Sequence, residues 1–274
     1  MEKVLSFLSW NVENFHNDKS RVKRVVDIIS RKNPDLFGVY EVKGADVFNA
    51  LVVKMPGYTF SITESPGIPE ILVGIRNNLS AFVTQRDELQ SKVPSLRPGA
   101  LATIHIGQEN YSFLFLHLKS FAEPRDWGLR DDMFQHVANL KRKLDKLSPS
   151  GQRANFVALG DLNPMGLKAA YNDTSDMSGA DELAFVERRM TAKINGMRRL
   201  AKTYEDTWWN GKDSQAPSSL DHVFASEHLK FREFARNVEV EVTGWVDEAT
   251  AEKKRDWISK FSDHSVLYGE IHDS

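Results

Sequence analysis

The chain has 274 residues, 41% of them apolar, which is enough to bury a large core in one domain. With 36 basic and 38 acidic residues the formal charge is −2, so bulk positive charge is excluded and any nucleic-acid contact must come from local basic patches. The sequence contains no cysteine, which excludes disulfides and thiolate metal sites and leaves oxygen and imidazole as metal ligands.

The N-terminal segment runs directly into an apolar strand pattern. It lacks the longer apolar core and the cleavage site of a signal peptide. No apolar stretch approaches the ~20 residues that span a membrane. We therefore expect a protein without a membrane partner that acts in the cytoplasm, or outside the cell if a signal peptide has been removed.

Apolar runs alternate with amphipathic patterns in the N-terminal half. Residues 4–10 and 36–41 are typical of buried strands, and Ser20 is placed to cap a helix between them that Asn33-Pro34-Asp35 stops. A second helix is expected over 46–55. The other strands of this half are predicted over three ranges: 71–76, 100–106 and 111–118.

The C-terminal half begins with a predicted helix over 130–147, followed by a buried strand at 156–163 that ends in polar groups. From 164 to 219 the pattern weakens, apart from a basic, helix-like stretch at 182–202. Three further strands are expected: 220–226, 231–242 and 264–271. Because there is no repeat and no obvious linker, the pattern favours one domain of mixed strands and helices over residues 1–274.

Polar residues follow directly on several of the apolar runs. At four strand ends they are Asn11, Glu41, His117 and the pair Asp161 and Asn163. Asp221-His222 and Asp263-His264 repeat the theme between apolar flanks. Such groups are costly to bury singly, but at one end of a sheet they satisfy each other and a hard cation.

The residue types in this set suit chemistry at phosphorus. The oxygen donors are ligands that Mg²⁺ or Mn²⁺ prefers. His117 and His264 lie among them, and a neighbouring carboxylate would raise the pKa of an imidazole or fix its tautomer. Phosphodiester hydrolysis needs a base for water, an acid or metal for the leaving oxygen, and cations for the phosphoryl charge.

Each motif also has a plain structural interpretation. The Gly-Asp-Leu-Asn segment ending at Asn163 can be a turn, Glu41 a surface residue and His117 a half-buried core histidine. Asp263-His264 can be an ordinary loop pair. All of these interpretations would have to hold together, in one particular order along the chain, so we favour the functional interpretation.

That order resembles a known family. The segments that carry the resemblance are SWNVEN (9–14), YEV (40–42), FLHLKS (115–120), ALGDLN (158–163), SLDHVFAS (219–226) and SDHSVL (262–267). Together they resemble the endonuclease/exonuclease/phosphatase superfamily, also called deoxyribonuclease I-like, over residues 4–271. The resemblance implies a four-layer α/β sandwich, in which two packed mixed β-sheets are flanked by helices, and a metal-dependent hydrolase.

The resemblance also implies a role for each polar position. The implied catalytic residues are Asn11, His117, Asp161, Asn163, Asp221 and His264, and the implied metal ligands are Glu41, Asp263 and Glu13. His264 would be the general base or polarise the phosphate, Asp221 would hold its imidazole, and His117 would contact the phosphate or act as general acid. Glu70 is the implied acidic partner of His117. Asn14 competes with Glu13, which strand alternation places on the face of Asn11.

Basic residues suggest the substrate. The predicted substrate-binding residues are Arg125, Arg130, Arg188, Arg189 and Arg198, and a solvated helix face is the alternative for the last three. We therefore expect a monomeric, Mg²⁺-dependent nuclease acting on DNA or, alternatively, RNA.

Two other classes of function stay open at this point. A lipid or inositol phosphodiesterase or phosphatase would need an exposed apolar docking loop, and Phe121 is the residue that favours it. An inactive binding module would require the loss of a metal or histidine position, and none of the main ones is missing.

Overall fold

Strands and helices alternate along the part of the chain that the structure describes, residues 2–15, 18–65, 70–149, 151–171 and 173–273 of a computed structural model. The strands are β1 (Lys3–Phe15), β2 (Leu36–Val42), β3 (Tyr58–Ile62), β4 (Glu70–Arg76), β5 (Ser80–Arg86), β6 (Gly99–Ile106), β7 (Glu109–His117), β8 (Asn155–Asp161), β9 (Met197–Arg199), β10 (Asp221–Ser226), β11 (Lys230–Phe231), β12 (Glu241–Thr243) and β13 (Val266–His272). The helices are α1 (Lys19–Lys32), α2 (Ala45–Lys54), α3 (Pro124–Leu147), α4 (Gly179–Thr191) and α5 (Ala251–Lys260).

The strands form two mixed sheets. The first has the order β11-β13-β1-β2-β4-β3, with β12 also paired to β13, and the second has the order β5-β6-β7-β8-β10-β9. Two pairs are parallel, β1 with β2 and β7 with β8, and the others are antiparallel. Because parallel neighbours end at the same edge of a sheet, each sheet brings the carboxyl ends of two successive strands together.

Three hydrophobic layers hold the sheets and helices together. Side chains such as Phe7, Phe113 and Leu159 fill the space between the two sheets. Helices α1 and α2 cover the outer face of the first sheet through residues such as Val25, and α3 and α4 cover the second through residues such as Phe134. The arrangement helix, sheet, sheet, helix confirms the predicted four-layer α/β sandwich.

Most predicted elements are confirmed, and the differences have local causes. Helix α1 is capped by Asp18 rather than Ser20, because Oδ1 of Asp18 accepts from the backbone N–H of Ser20 at 3.0 Å. The basic stretch at 182–202 is wrong as a single helix, since α4 ends at Thr191 and the chain then turns at Gly196 with φ 54.

The strand predicted over 231–242 is also wrong. It breaks into β11 and β12, because the chain leaves the sheet between them in a tight turn at Asn237, whose φ is 58. Strands β3 and β5 and helix α5 had no counterpart in the prediction. In the described ranges, no helix combines the length and the apolar character needed to span a membrane.

Candidate active site

The predicted site residues lie at one end of both sheets. In the second sheet His117, at the end of β7, is opposite Asp161 of β8, which is itself opposite Asp221 at the start of β10. From the first sheet, Nδ2 of Asn11 donates to Oδ2 of Asp161 at 2.9 Å and to Oε1 of Glu41 at 3.3 Å. The side chain of Asn11 therefore joins the two sheets at the centre of the site.

His264, just before β13, is held between two buried carboxylates. Its Nδ1 lies 2.8 Å from Oδ2 of Asp221, and its Nε2 lies 3.8 Å from Oδ2 of Asp161. Burial alone would lower the pKa of His264, but the carboxylates of Asp221 and Asp161 outweigh it and raise the pKa to about 10. The imidazole is therefore protonated near neutral pH and presents a positive charge at Nε2.

Asp161 lies at the centre of this arrangement and is buried. Burial, and then the nearby carboxylates of Asp221 and Glu41, raise the pKa of Asp161 to about 7 in spite of the opposing charge of His264. A carboxylate with such a pKa can take up a proton near neutral pH, as a general base must.

His117 also lies close to the carboxylate of Asp161, and to that of Glu41. Its Nε2 lies 3.3 Å from Oδ2 of Asp161 and 3.7 Å from Oε1 of Glu41. Burial, and then the positive charges of Arg97 and His264, hold the pKa of His117 well below its ordinary value of 6.5. The imidazole is therefore neutral at pH 7, which suits contact with a phosphate better than proton donation.

The structure does not bring Glu70 to His117. The carboxylate of Glu70 accepts from Oγ1 of Thr63 at 2.5 Å and from the backbone N–H of Ser65 at 2.6 Å. Nδ1 of His117 is buried without a hydrogen-bond partner. Glu70 is thus hydrogen-bonded to residues that precede it in the chain, and it is not the acidic partner of His117 that the resemblance implied.

The Gly-Asp-Leu-Asn segment is shaped by its backbone. Gly160 has φ 140, and a Cβ there would lie 2.0 Å from the backbone oxygen of Leu116, so only glycine fits at this point. Asn163 adopts φ 48 and is buried, with Nδ2 donating to the backbone oxygen of Leu118 at 3.2 Å. The loops after β7 and β8 are therefore fastened to each other next to the site.

Carboxylates of three segments face one another at the outer side of the site. Burial, and then the charges of Asp263 and Glu41, raise the pKa of Glu13. Oε2 of Glu41 accepts from the backbone N–H of Asn14 at 2.8 Å, and Oδ2 of Asp263 accepts from Nε1 of Trp208 at 2.7 Å. Since Oδ1 of Asp263 is buried without a partner, this set has acceptor atoms to spare and fits a hard divalent cation.

Strand alternation is not what places Glu13 there. The register of β1 shifts between Asn11 and Phe15, and both Glu13 and Asn14 have left-handed backbone, with φ 33 and 45. Glu41 opposite them has φ 63. Such strained backbone re-aims side chains at functional sites, so the predicted position of Glu13 is reached by a bulge.

Among the described residues, one group satisfies the distance requirement for a metal site, and it does not include Glu41, Asp263 or Glu13. One ligand atom each from Asp161, Asp221 and His264 lies within 4.8 Å of the others. However, the 2.8 Å separation between His264 Nδ1 and Asp221 is that of a hydrogen bond, so a proton rather than an ion joins these two groups. Glu41, Asp263 and Glu13 stay the predicted ligands of the cation.

The predicted substrate-binding arginines are dispersed. Arg125 is exposed at the start of α3, but Arg130 is fully buried in an ion pair with Glu182, so its expected place in the cleft is corrected. Arg188 is exposed on α4, whereas Arg189 pairs with an aspartate and Arg198 with a glutamate. No continuous basic helix face forms among the described residues of this stretch.

The sequence-based argument missed Arg97. It precedes β6, so the search for polar residues at the carboxyl ends of strands passes over it. Burial lowers its pKa, which the carboxylates of Glu41, Asp161 and Glu70 oppose, and its Nε is buried without a partner. Arg97 therefore places a positive charge beside the central carboxylates.

Comparisons with known proteins show the fold and the family of the chain. No curated protein sequence matches the chain. Three solved structures cover 98% of it: truncated TDP2 of Caenorhabditis elegans (17% identity, TM-score 0.69, 98% of that chain), TDP2 of D. rerio complexed with a single-strand DNA product (17%, 0.68, 99%) and the human Nocturnin catalytic domain with bound sulfate (13%, 0.62, 93%). These likenesses show the fold. A family model matches residues 8–264, and the chain belongs to the Endonuclease/Exonuclease/phosphatase family.

Proposed function

We propose that the protein is a Mg²⁺-dependent phosphodiesterase that cleaves nucleic acid, with DNA favoured over RNA. The observation that carries the proposal is the buried, connected row of Asp221, His264, Asp161 and His117 at the end of the second sheet. Carboxylates and imidazoles held in contact and away from water supply the acid–base and charge-stabilising groups that hydrolysis at phosphorus requires.

His264 acts as a cation aimed at the phosphate. Its Nδ1 is occupied by Asp221, so Nε2 is the nitrogen left to donate to a phosphoryl oxygen. This positive charge stabilises the transition state, because it lies where negative charge develops and where water is excluded. Of the two roles expected for His264, polarisation of the phosphate is better supported than general base.

Asp161 takes the proton of the attacking water. It lies between His264 and His117, and Asn11 fixes one of its oxygens by a hydrogen bond of 2.9 Å. Its other oxygen, Oδ1, has no partner and is free to accept from water. Asn163, two residues further on, is positioned to orient the same water or the phosphate.

Mg²⁺ would be held by Glu41 with Asp263 and Glu13. When bound, the ion supplies positive charge for the phosphoryl and leaving oxygens. Arg97 adds a fixed positive charge on the opposite side of Asp161, beside neutral His117. These two residues are proposed to contact the non-bridging oxygens of the phosphate.

Three features favour a nucleic-acid strand as substrate. TDP2 of D. rerio, which shares the fold, is seen with a single-strand DNA product. Arg125 is exposed on the loop side of α3 and can meet a backbone phosphate. A cleft of about 540 Å³ opens beside the site between Met165, Trp208 and Leu220, which gives room beyond the reacting phosphate.

The test is hydrolysis of plasmid DNA, single-stranded DNA, RNA and sphingomyelin with Mg²⁺ or Mn²⁺, each with and without EDTA. We expect cleavage of DNA that EDTA abolishes. His264→Ala and Asp161→Ala should each lose at least ~10²-fold in rate, the scale of removing a charge-stabilising group and a general base, respectively. His105→Ala, a change to an exposed histidine of β6, is the matched control. A protein that cleaves none of these substrates and binds no metal would refute the proposal. Cleavage of sphingomyelin alone would show that the substrate is a lipid and not a nucleic acid.

A further inference from the structure

The loop after β7 carries a phenylalanine in a state that folding does not explain. Phe121 is 62% exposed, and its φ is 75, in the left-handed region. That region is unfavourable for a bulky residue. Glycine or asparagine would relieve the strain, and a polar side chain would suit the exposure. Neither burial nor backbone geometry therefore accounts for an aromatic ring here.

A buried ion pair maintains this strained conformation. Arg130 donates to the backbone oxygens of Phe121 and, at 3.1 Å, of Lys119. Two further bonds of 2.8 Å join the guanidinium to both oxygens of Glu182. Arg130 also donates to the backbone oxygen of Gly166 at 2.9 Å, in the loop that follows Asn163. The pair thus fixes the two loops that flank the active site and fixes Phe121 with them.

The ring stands at the rim of the site. Phe121 is the fourth residue after His117, which limits their Cα separation to about 14 Å. The backbone N–H of Phe121 donates to Sδ of Met165 at 3.0 Å, and Met165 is two residues from Asn163. One strand of a duplex advances ~3.4 Å per nucleotide, so the ring is within about four nucleotides of a phosphate bound at the site.

A cation contacts the exposed ring. Nζ of Lys119, which also pairs with Asp126 at 3.0 Å, lies 4.7 Å from the ring centroid. Lys168 is exposed on the loop after β8, where its backbone N–H donates to the backbone oxygen of Ala122 at 2.7 Å, and Arg125 is exposed at the start of α3. An aromatic side chain interleaved with cations is the arrangement by which proteins hold single strands, because bases stack on the ring and phosphates meet the cations.

We propose that Phe121 is a stacking platform for an unpaired base of the substrate strand, within about four nucleotides of the scissile phosphate. This inference rests on the proposed nuclease function. A membrane surface is the less favoured occupant, because the exposed ring of Phe121 lies against the charged Nζ of Lys119. Specificity for a strand that offers an unstacked base follows from the platform.

The experiment is a double-mutant cycle between the ring and the base. Single-stranded DNA oligonucleotides carry one tetrahydrofuran abasic site, moved one nucleotide at a time along the strand, and are cleaved by the wild type and Phe121→Ala. With all bases present, Phe121→Ala should lose about 5- to 150-fold in kcat/KM, the value of one stacked base. At one position of the abasic site, the missing base should lower kcat/KM of the wild type by the same factor. It should not lower kcat/KM of Phe121→Ala any further.

Two more variants separate stacking from folding. Phe121→Tyr should keep activity, and Phe82→Ala, which removes a 60% exposed phenylalanine from β5, should have no effect. Phe121→Gly relieves the backbone strain, so its urea unfolding midpoint should not fall below that of the wild type, while cleavage falls as in Phe121→Ala.

Several outcomes would overturn the inference. If the losses from Phe121→Ala and from the abasic site are strictly additive at every position, Phe121 does not stack on a base. Full activity of Phe121→Ala on single-stranded DNA would lead to the same conclusion. Neither result would contradict the nuclease function. Loss of binding by Phe121→Ala to sphingomyelin-containing vesicles, with DNA cleavage unchanged, would point to a membrane instead. A wild type that cleaves no nucleic acid would refute both the inference and the function on which it rests.

Discussion

Nδ1 of His264 is hydrogen-bonded to Oδ2 of Asp221 at 2.8 Å, and both residues are almost fully buried. The bond fixes the imidazole ring with Nε2 directed towards Asp161. Asp221 is itself fixed through its backbone oxygen, which accepts from Nζ of Lys202 at 2.8 Å. The orientation of the His264 imidazole, the proposed phosphate-polarising cation, is therefore set by Asp221 at the start of β10 and not by the substrate.

Asp221→Asn should lose about 10²- to 10⁴-fold in kcat for the cleaved oligonucleotide, because the amide keeps the shape but removes the charge that holds His264 protonated and oriented. KM should change little, since Asp221 does not reach the substrate. Asp213→Asn, at an exposed carboxylate, is the control. A variant with near-normal kcat would contradict the role given to the pair.

Glu41→Gln should raise the Mg²⁺ concentration for half-maximal activity by more than ~10-fold, the lower limit for loss of even an outer ligand partner. Glu13→Gln should have a smaller effect, because its side chain is more exposed than that of Glu41. Direct titration with Mg²⁺ by calorimetry measures the change without relying on turnover. Glu64→Gln, in the exposed loop after β3, should bind like the wild type, and equal binding by Glu41→Gln would contradict the assignment.

The polar residues at the strand ends could be predicted from the sequence because each one is a local signal. An apolar run followed directly by Asn11, Glu41, His117 or Asp161 needs only the neighbouring residues to be noticed. Parallel pairing then brings such ends together, so the four-layer fold and the centre of the site follow from the same pattern. The bulge that re-aims Glu13 depends on contacts across β2, which no local pattern contains.

Charge alone misled the interpretation of Arg130. Its spacing to Phe134 and Val137 places it on the buried face of α3, where Glu182, 52 residues away, balances its charge. Arg97 was overlooked for the opposite reason, since it lies before a strand and reaches the site through tertiary structure. In both cases the deciding partner is distant in sequence, so periodicity gives no indication of it.

Glu182→Ala should destabilise the protein by about 3–5 kcal/mol, because it leaves the buried charge of Arg130 without a partner. Urea unfolding measures the loss. The double variant Arg130→Met with Glu182→Leu should recover much of it, since both charges are then absent. Asp256→Ala, which breaks the exposed pair with Lys260, should stay within about 1 kcal/mol of the wild type. An equally small effect of Glu182→Ala would show that the clamp on the two loops is weak.

The stability of the protein should depend on pH through Lys202. Its Nζ donates to the backbone oxygens of Glu205 and Asp221 and to Oγ of Ser219, at 2.8 to 3.0 Å, and the side chain is buried. Burial lowers the pKa of Lys202 to about 8 from its ordinary value of 10.5 in spite of the nearby carboxylates. Between these two values the unfolded chain keeps a proton that the folded protein has released.

Stability should therefore rise, by at most about 3 kcal/mol, as the pH increases from 8 to 10.5. Lys202→Met has no such proton to release, so the difference in free energy of unfolding between wild type and variant should change in favour of the wild type over this range. Urea titrations at pH 7.5 and 10 measure it. Lys253→Met, at an exposed lysine of α5, should give a difference that does not vary with pH. Parallel pH curves for wild type and Lys202→Met would mean that Lys202 keeps an ordinary pKa, so that its three hydrogen bonds outweigh the cost of its burial.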